Sequence, residues 1–69
     1  MPTIPKRKHS LRVQIQEVER EIRMRRQEYP RQIARDAMRN GEAVELIEMM
    51  ESVLETLQQL QEQEQRKAF

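Results

Sequence analysis

The sequence predicts an all-α chain: an antiparallel helical hairpin that dimerises into a four-helix bundle. Three observations predict it. Two long segments carry apolar residues at alternating steps of three and four, the spacing of one helix face. A proline, then Asn40-Gly41, interrupts the chain between them. And 69 residues with one Phe, one Tyr, no Trp and no Cys make a small aliphatic core. A single-layer core of that size rarely supplies more than about 3–5 kcal/mol, and small chains usually add disulfides, a metal or a partner. Without Cys, and with His9 as the single histidine, disulfides and zinc sites are excluded and no cofactor is expected. Self-association remains: a homodimer.

Residues 1–9, "MPTIPKRKH", hold two prolines, the basic run Lys6, Arg7 and Lys8, and no periodicity. They read as a flexible basic tail. The hairpin domain is expected over 10–65, with a frayed C-terminus over 66–69.

Ser10 suits a helix N-cap, because its hydroxyl can accept from an unpaired amide of the first turn. Leu11, Ile15, Val18, Ile22, Arg25 and Tyr29 follow as one stripe, which predicts a helix over about 11–28. Arg25 interrupts that stripe. Buried, it needs a carboxylate, from Glu28 three residues on or from a partner subunit; alternatively it snorkels, its stem covering the stripe and its head in water. Snorkelling is the favoured expectation.

Pro30 has no N–H for the Arg26 carbonyl and costs about 3 kcal/mol inside a helix, but it is favourable at the first turn of a new one. The economical reading stops the first helix near Glu28 and starts a short helix over about 30–39. The alternative is one long helix bent at Pro30. Either way the chain is expected to turn at Tyr29, with the ring packed in the corner. The short helix would carry Ile33, Ala34, Ala37 and Met38 on one face and Arg31, Arg35 and Arg39 on another. Asn40 and Gly41 would close it, either one as a left-handed residue, and Asn40 could also cap the next helix.

The third helix, about 42–65, has the clearest pattern. Ala43, Leu46, Met50, Val53, Leu57 and Leu60 repeat at heptad spacing, and Ile47 and Leu54 widen the stripe. That width suits a bundle core better than a two-stranded coiled coil. The expected core and oligomer interface is therefore Leu11, Ile15, Val18, Ile22, Tyr29, Leu46, Ile47, Met50, Val53, Leu54, Leu57 and Leu60. Met24, Met38, Met49 and Met50 read as adaptable packing.

Charge divides the chain. Residues 1–41 hold eleven Lys/Arg against five Asp/Glu, net +6, and residues 42–69 hold two against seven, net −5. Folding back lays the basic half beside the acidic one. Because Glu45, Glu48, Glu51 and Glu55 fall off the apolar stripe, direct ion pairs are not required. Exposed pairs contribute only about 0–1 kcal/mol each, so the stripes must hold the hairpin.

The arginines are the most informative polar feature. Arg20, Arg23 and Arg26 step by three, and Arg31, Arg35 and Arg39 step by four. Guanidinium forks suit carboxylates and phosphates alike, so this face fits an acidic protein or, as the second choice, nucleic acid. Scarce aromatics for base stacking and interleaved Glu17, Glu19, Glu21 and Glu28 weigh against nucleic acid. No Ser/His/Asp or Cys/His set, glycine-rich phosphate loop or histidine-containing metal spacing is present, so no enzyme is expected. No apolar run approaches the roughly 20 residues that span a bilayer, and no secretory signal is visible. A cytoplasmic protein with no membrane partner is expected.

The stretch "REIRMRRQEYPR", then "AM" and "EAVELIEMME", resembles a group of short phage and prophage proteins of unassigned function. In these an arginine-rich helix runs into Tyr-Pro-Arg, then a short segment, a Met, and a helix with an Ala…Ile…Met-Glu pattern. The matching positions are Arg20, Glu21, Ile22, Met24, Arg25, Arg26, Tyr29, Pro30, Arg31, Met38, Glu42, Ala43, Ile47, Met50 and Glu51. The chain departs from that group at Gln32, where an aromatic is frequent, and at Arg39-Asn40-Gly41, where a Thr or Ser cap is common. The resemblance implies a phage origin, hence the interior of a host cell, and an unassigned role; the acidic protein that the arginines fit would then be an acidic host protein. The resemblance implies no activity.

Overall fold

The computed structural model describes residues 7–67. Two helices, α1 (Leu11–Ala34) and α2 (Asn40–Lys67), pack against each other as a hairpin. Among the described residues there is no strand.

Helix α1 starts where the sequence places it. Ser10 has extended backbone (φ −64°, ψ 158°), its Oγ accepts from the Val13 N–H at 3.2 Å, and its carbonyl accepts from the Gln14 N–H at 3.0 Å. The Gln14 side chain also donates to the His9 carbonyl at 2.9 Å, fixing the entering chain.

The end of α1 corrects the sequence reading. The helix does not stop near Glu28; it runs through Pro30 to Ala34, and no short helix forms over 30–39. Pro30 is exposed, so the Arg26 carbonyl it deprives of a donor lies on a side open to water. Continuing the helix keeps Tyr29 and Ile33, both half-buried, in line with buried Ile22. The chain therefore does not turn at Tyr29. It turns over residues 35–39.

Nor do Asn40 and Gly41 supply the stop. The left-handed residue is Asp36, with φ 63°. Its N–H donates to the Ile33 carbonyl at 3.0 Å, and the Ala37 N–H donates to the Gln32 carbonyl at 2.8 Å. This crossed pair is the Schellman arrangement, which satisfies the last carbonyls of a helix and usually has glycine where Asp36 stands. Asn40 and Gly41 instead form the first turn of α2, and a Cβ on Gly41 would meet nothing within 4 Å. The backbone of Arg39 starts that helix, its carbonyl accepting from Ala43 at 3.1 Å.

At the other end, Arg66 and Lys67, expected to fray, are still helical. Residues 68–69 and residues 1–6 of the expected tail lie outside the described residues.

The core is small. Leu11, Ile15, Ile22 and Ala43 are the buried hydrophobic side chains.

Candidate interaction surface

The two flanks of the hairpin differ in chemistry. On one, Ile22, Arg23 and Arg26 of α1 and Glu51, Leu54 and Glu55 of α2 line a polar groove. Arg26 Nη2 approaches Glu51 Oε1 at 3.4 Å across it, one of two ion pairs among the described residues that join the basic half to the acidic half. The other pair joins Arg7 to Glu64 at 2.6 Å, so the last residues of the expected flexible tail include one anchored side chain.

The opposite flank is apolar. Val13, Gln14 and Val18 of α1 and Val53 and Leu57 of α2 line one groove, with His9 and Glu17 at its rim. A shallower groove continues over Met49, Ser52 and Thr56. Val13 is 48% exposed, Val53 41% and Met49 59%. Further along α1, the edge through Gln14 and Val18 reaches Glu21 and Arg25 at steps of 4, 3 and 4. There Arg25, Glu21 and Tyr29 border a third depression.

Arg25 resolves the question its position raised. Its Nε donates to Glu21 Oε1 at 2.8 Å, with 28% of the side chain exposed. The carboxylate partner is Glu21, not Glu28; Glu28 lies 4.0 Å from Arg31. The guanidinium pKa is raised, chiefly by that hydrogen bond, with partial burial acting against it and Tyr29 adding to it.

The expected interface residues divide into three groups. Leu11, Ile15 and Ile22 are buried; Val18, Tyr29, Leu46, Ile47, Met50, Leu54 and Leu57 are half-buried; Val53 and Leu60 are exposed. Ala43 was outside that expected set yet is as buried as Ile22, both being 5% exposed. Val13 and Met49 were missed because each lies off the heptad positions of its helix.

The six arginines do not share a face. A step of three residues falls short of a 3.6-residue turn, so Arg20, Arg23 and Arg26 spiral around α1. Arg20 forks onto Glu17, whose pKa it lowers by that hydrogen bond, while Arg23 and Arg26 lie on the polar flank. Arg31 belongs to the last turn of α1, and Arg35 and Arg39 border the turn. With no helix over 30–39, their expected i, i+4, i+8 face does not exist. All six are exposed.

The chain matches no protein-family model, no curated protein and no solved structure. No helix among the described residues is long and apolar enough to cross a membrane.

Proposed function

We propose that the chain is a non-enzymatic interaction module that self-associates, two hairpins burying their apolar flanks to form a four-helix bundle. One observation carries this reading: Val13, Met49 and Val53 stand exposed on one flank beside a core of four buried side chains. Soluble monomers rarely leave contiguous apolar surface open without using it, and water-exposed Val and Met gain about 1.5–3 kcal/mol each on full burial. Sedimentation equilibrium across nanomolar to micromolar concentration tests it. A dimer mass is expected, and a folded monomer throughout would overturn the proposal.

A second reading concerns the arginines left outside the bundle. Arg23, Arg35 and Arg39 are exposed and take part in no ion pair among the described residues. They suit carboxylates of an acidic protein, which the resemblance to phage proteins would place in the host cell. Nucleic acid is the weaker alternative, because Arg20 and Arg26 already face carboxylates. A binding assay across salt separates the two. Phosphate contacts weaken steeply and linearly in log salt, whereas an acidic protein surface releases no comparable condensed counterion layer.

A further inference from the structure

We infer that Met49 is an oxidation site, through which a peroxide breaks up the self-association proposed above. The reactivity of its sulfur stands on the single hairpin; the effect on assembly rests on that earlier reading.

Met24, Met38, Met49 and Met50 are the methionines of the described residues, and Met38 and Met50 are half-buried. Met24 and Met49 are 50% and 59% exposed, so exposure alone does not rank them. Their sulfurs are held differently. Arg20, one turn before Met24, donates from Nη1 to the Met24 sulfur at 2.8 Å. Among the described residues Met49 accepts no such bond. The two hydroxyls in its groove are committed to their own helix. Ser52 Oγ donates to the Glu48 carbonyl at 3.1 Å, and Thr56 Oγ1 donates to the Ser52 carbonyl at 3.0 Å. Val53 and Leu57 complete the groove, and residues 42–65 contain no Lys or Arg.

Those differences set the chemistry. A thioether is oxidised when a sulfur lone pair attacks one oxygen of a peroxide. The sulfur–oxygen bond forms and the oxygen–oxygen bond breaks. The proton on the transferred oxygen passes to the departing hydroxide, which leaves as water. Sulfur gives up two electrons and the peroxide takes them. Positive charge builds on sulfur during the attack. At Met24 a guanidinium occupies a lone pair and opposes that charge. No cation lines the groove of Met49, which is therefore oxidised first.

The product is a sulfoxide, a polar group where a flexible apolar one stood. Met49 adjoins Val53, on the flank that a second copy covers in the proposed bundle. Covering a sulfoxide there strips water from its oxygen, and the Ser52 and Thr56 hydroxyls are already engaged. Oxidised chains thus associate less. A methionine sulfoxide reductase, taking electrons from a thiol, restores them. The bundle in turn shields the sulfur, so the reaction runs through the free hairpin.

Dilute hydrogen peroxide on the full chain, followed by peptide mass mapping over time, tests the site. At a concentration where the chain is monomeric, Met49 should gain oxygen at least about fivefold faster than Met24. Arg20→Ala should raise the Met24 rate toward that of Met49. Equal rates in the unaltered chain, or a Met24 rate unmoved by Arg20→Ala, would overturn the assignment. Sedimentation before and after peroxide tests the consequence. The treated chain should associate at least about tenfold more weakly. Met49→Leu keeps an apolar side chain of similar volume without the sulfur, so it should associate as before and resist peroxide. Equal weakening of Met49→Leu by peroxide would overturn the role of Met49. A monomer at every concentration before treatment would instead overturn the self-association beneath it and leave the order of oxidation standing.

Discussion

Arg7 and Glu64, 57 residues apart in sequence, meet through an ion pair of 2.6 Å at the open end of the hairpin. The contact ties the segment before Ser10 to the last turns of α2, where few apolar side chains hold the helices together. The hydrogen bond from Arg7 lowers the Glu64 pKa, and that of Glu17 is lowered in the same way by Arg20.

A carboxylate with a lowered folded-state pKa stabilises the fold above the ordinary glutamate range and loses that contribution as pH falls through the lowered value. The loss therefore occurs below about pH 4.3, and it is small because both groups are exposed. Arg7→Ala should return Glu64 to the ordinary range and leave Glu17 unmoved. Side-chain carboxyl NMR titration of the two residues checks this.

The turn carries backbone strain at one position. An L-residue in the left-handed region costs roughly 1–2 kcal/mol, less for Asp than for most, and glycine avoids it. Asp36→Gly should therefore raise stability by up to about 1 kcal/mol. Asp36→Val should lower it by about 1–2 kcal/mol. Urea unfolding at fixed protein concentration measures both.

Gly41 has the opposite behaviour. It is helical, takes no positive φ and has open space where a Cβ would stand. Gly41→Ala should stabilise the protein, by up to about 0.5–1 kcal/mol. Were Gly41 the left-handed stop that the sequence suggests, the same substitution would destabilise. The sign of the change in melting temperature decides between the two.

Ile22 and Val53 should separate folding from association. Ile22 is buried within one hairpin, and Ile22→Ala should cost about 2–4 kcal/mol of stability. Val53 is exposed on the flank. Val53→Glu should weaken self-association at least tenfold and make the melting temperature depend less steeply on concentration. Sedimentation and circular dichroism on both variants test this.

Most of the secondary structure was legible in the sequence because it rests on local terms. Ser10 announces the start of α1 through a hydroxyl three residues from its partner amide. The three-four spacing of Leu11, Ile15 and Ile22 needs only helix geometry to place them inward. The stripe of α2 was legible for the same reason. The turn was misread because local rules named several credible punctuators, Pro30, Asn40 and Gly41, and gave Asp36 no special weight.

The apolar flank of the hairpin was legible only in part. Heptad positions identify the side of a helix that faces its neighbour, and they found Val18, Val53 and Leu57. They do not say which edge of that side stays open once the two helices meet, so Val13 and Met49 were passed over. The arginines show the converse failure. Spacing along the chain suggested one basic face, but pairing with Glu17 and Glu51 and the loss of the short helix dispersed it.

By itself the sequence determined that this chain is a pair of amphipathic helices, because apolar periodicity, capping chemistry and the scarcity of aromatics act within a few residues. Tertiary structure alone decided where the hairpin reverses, and which flank became polar and which stayed apolar. Those outcomes depend on how one helix is rotated against the other. That rotation is set by burying Ile15, Ile22 and Ala43 together, across distances no local rule spans.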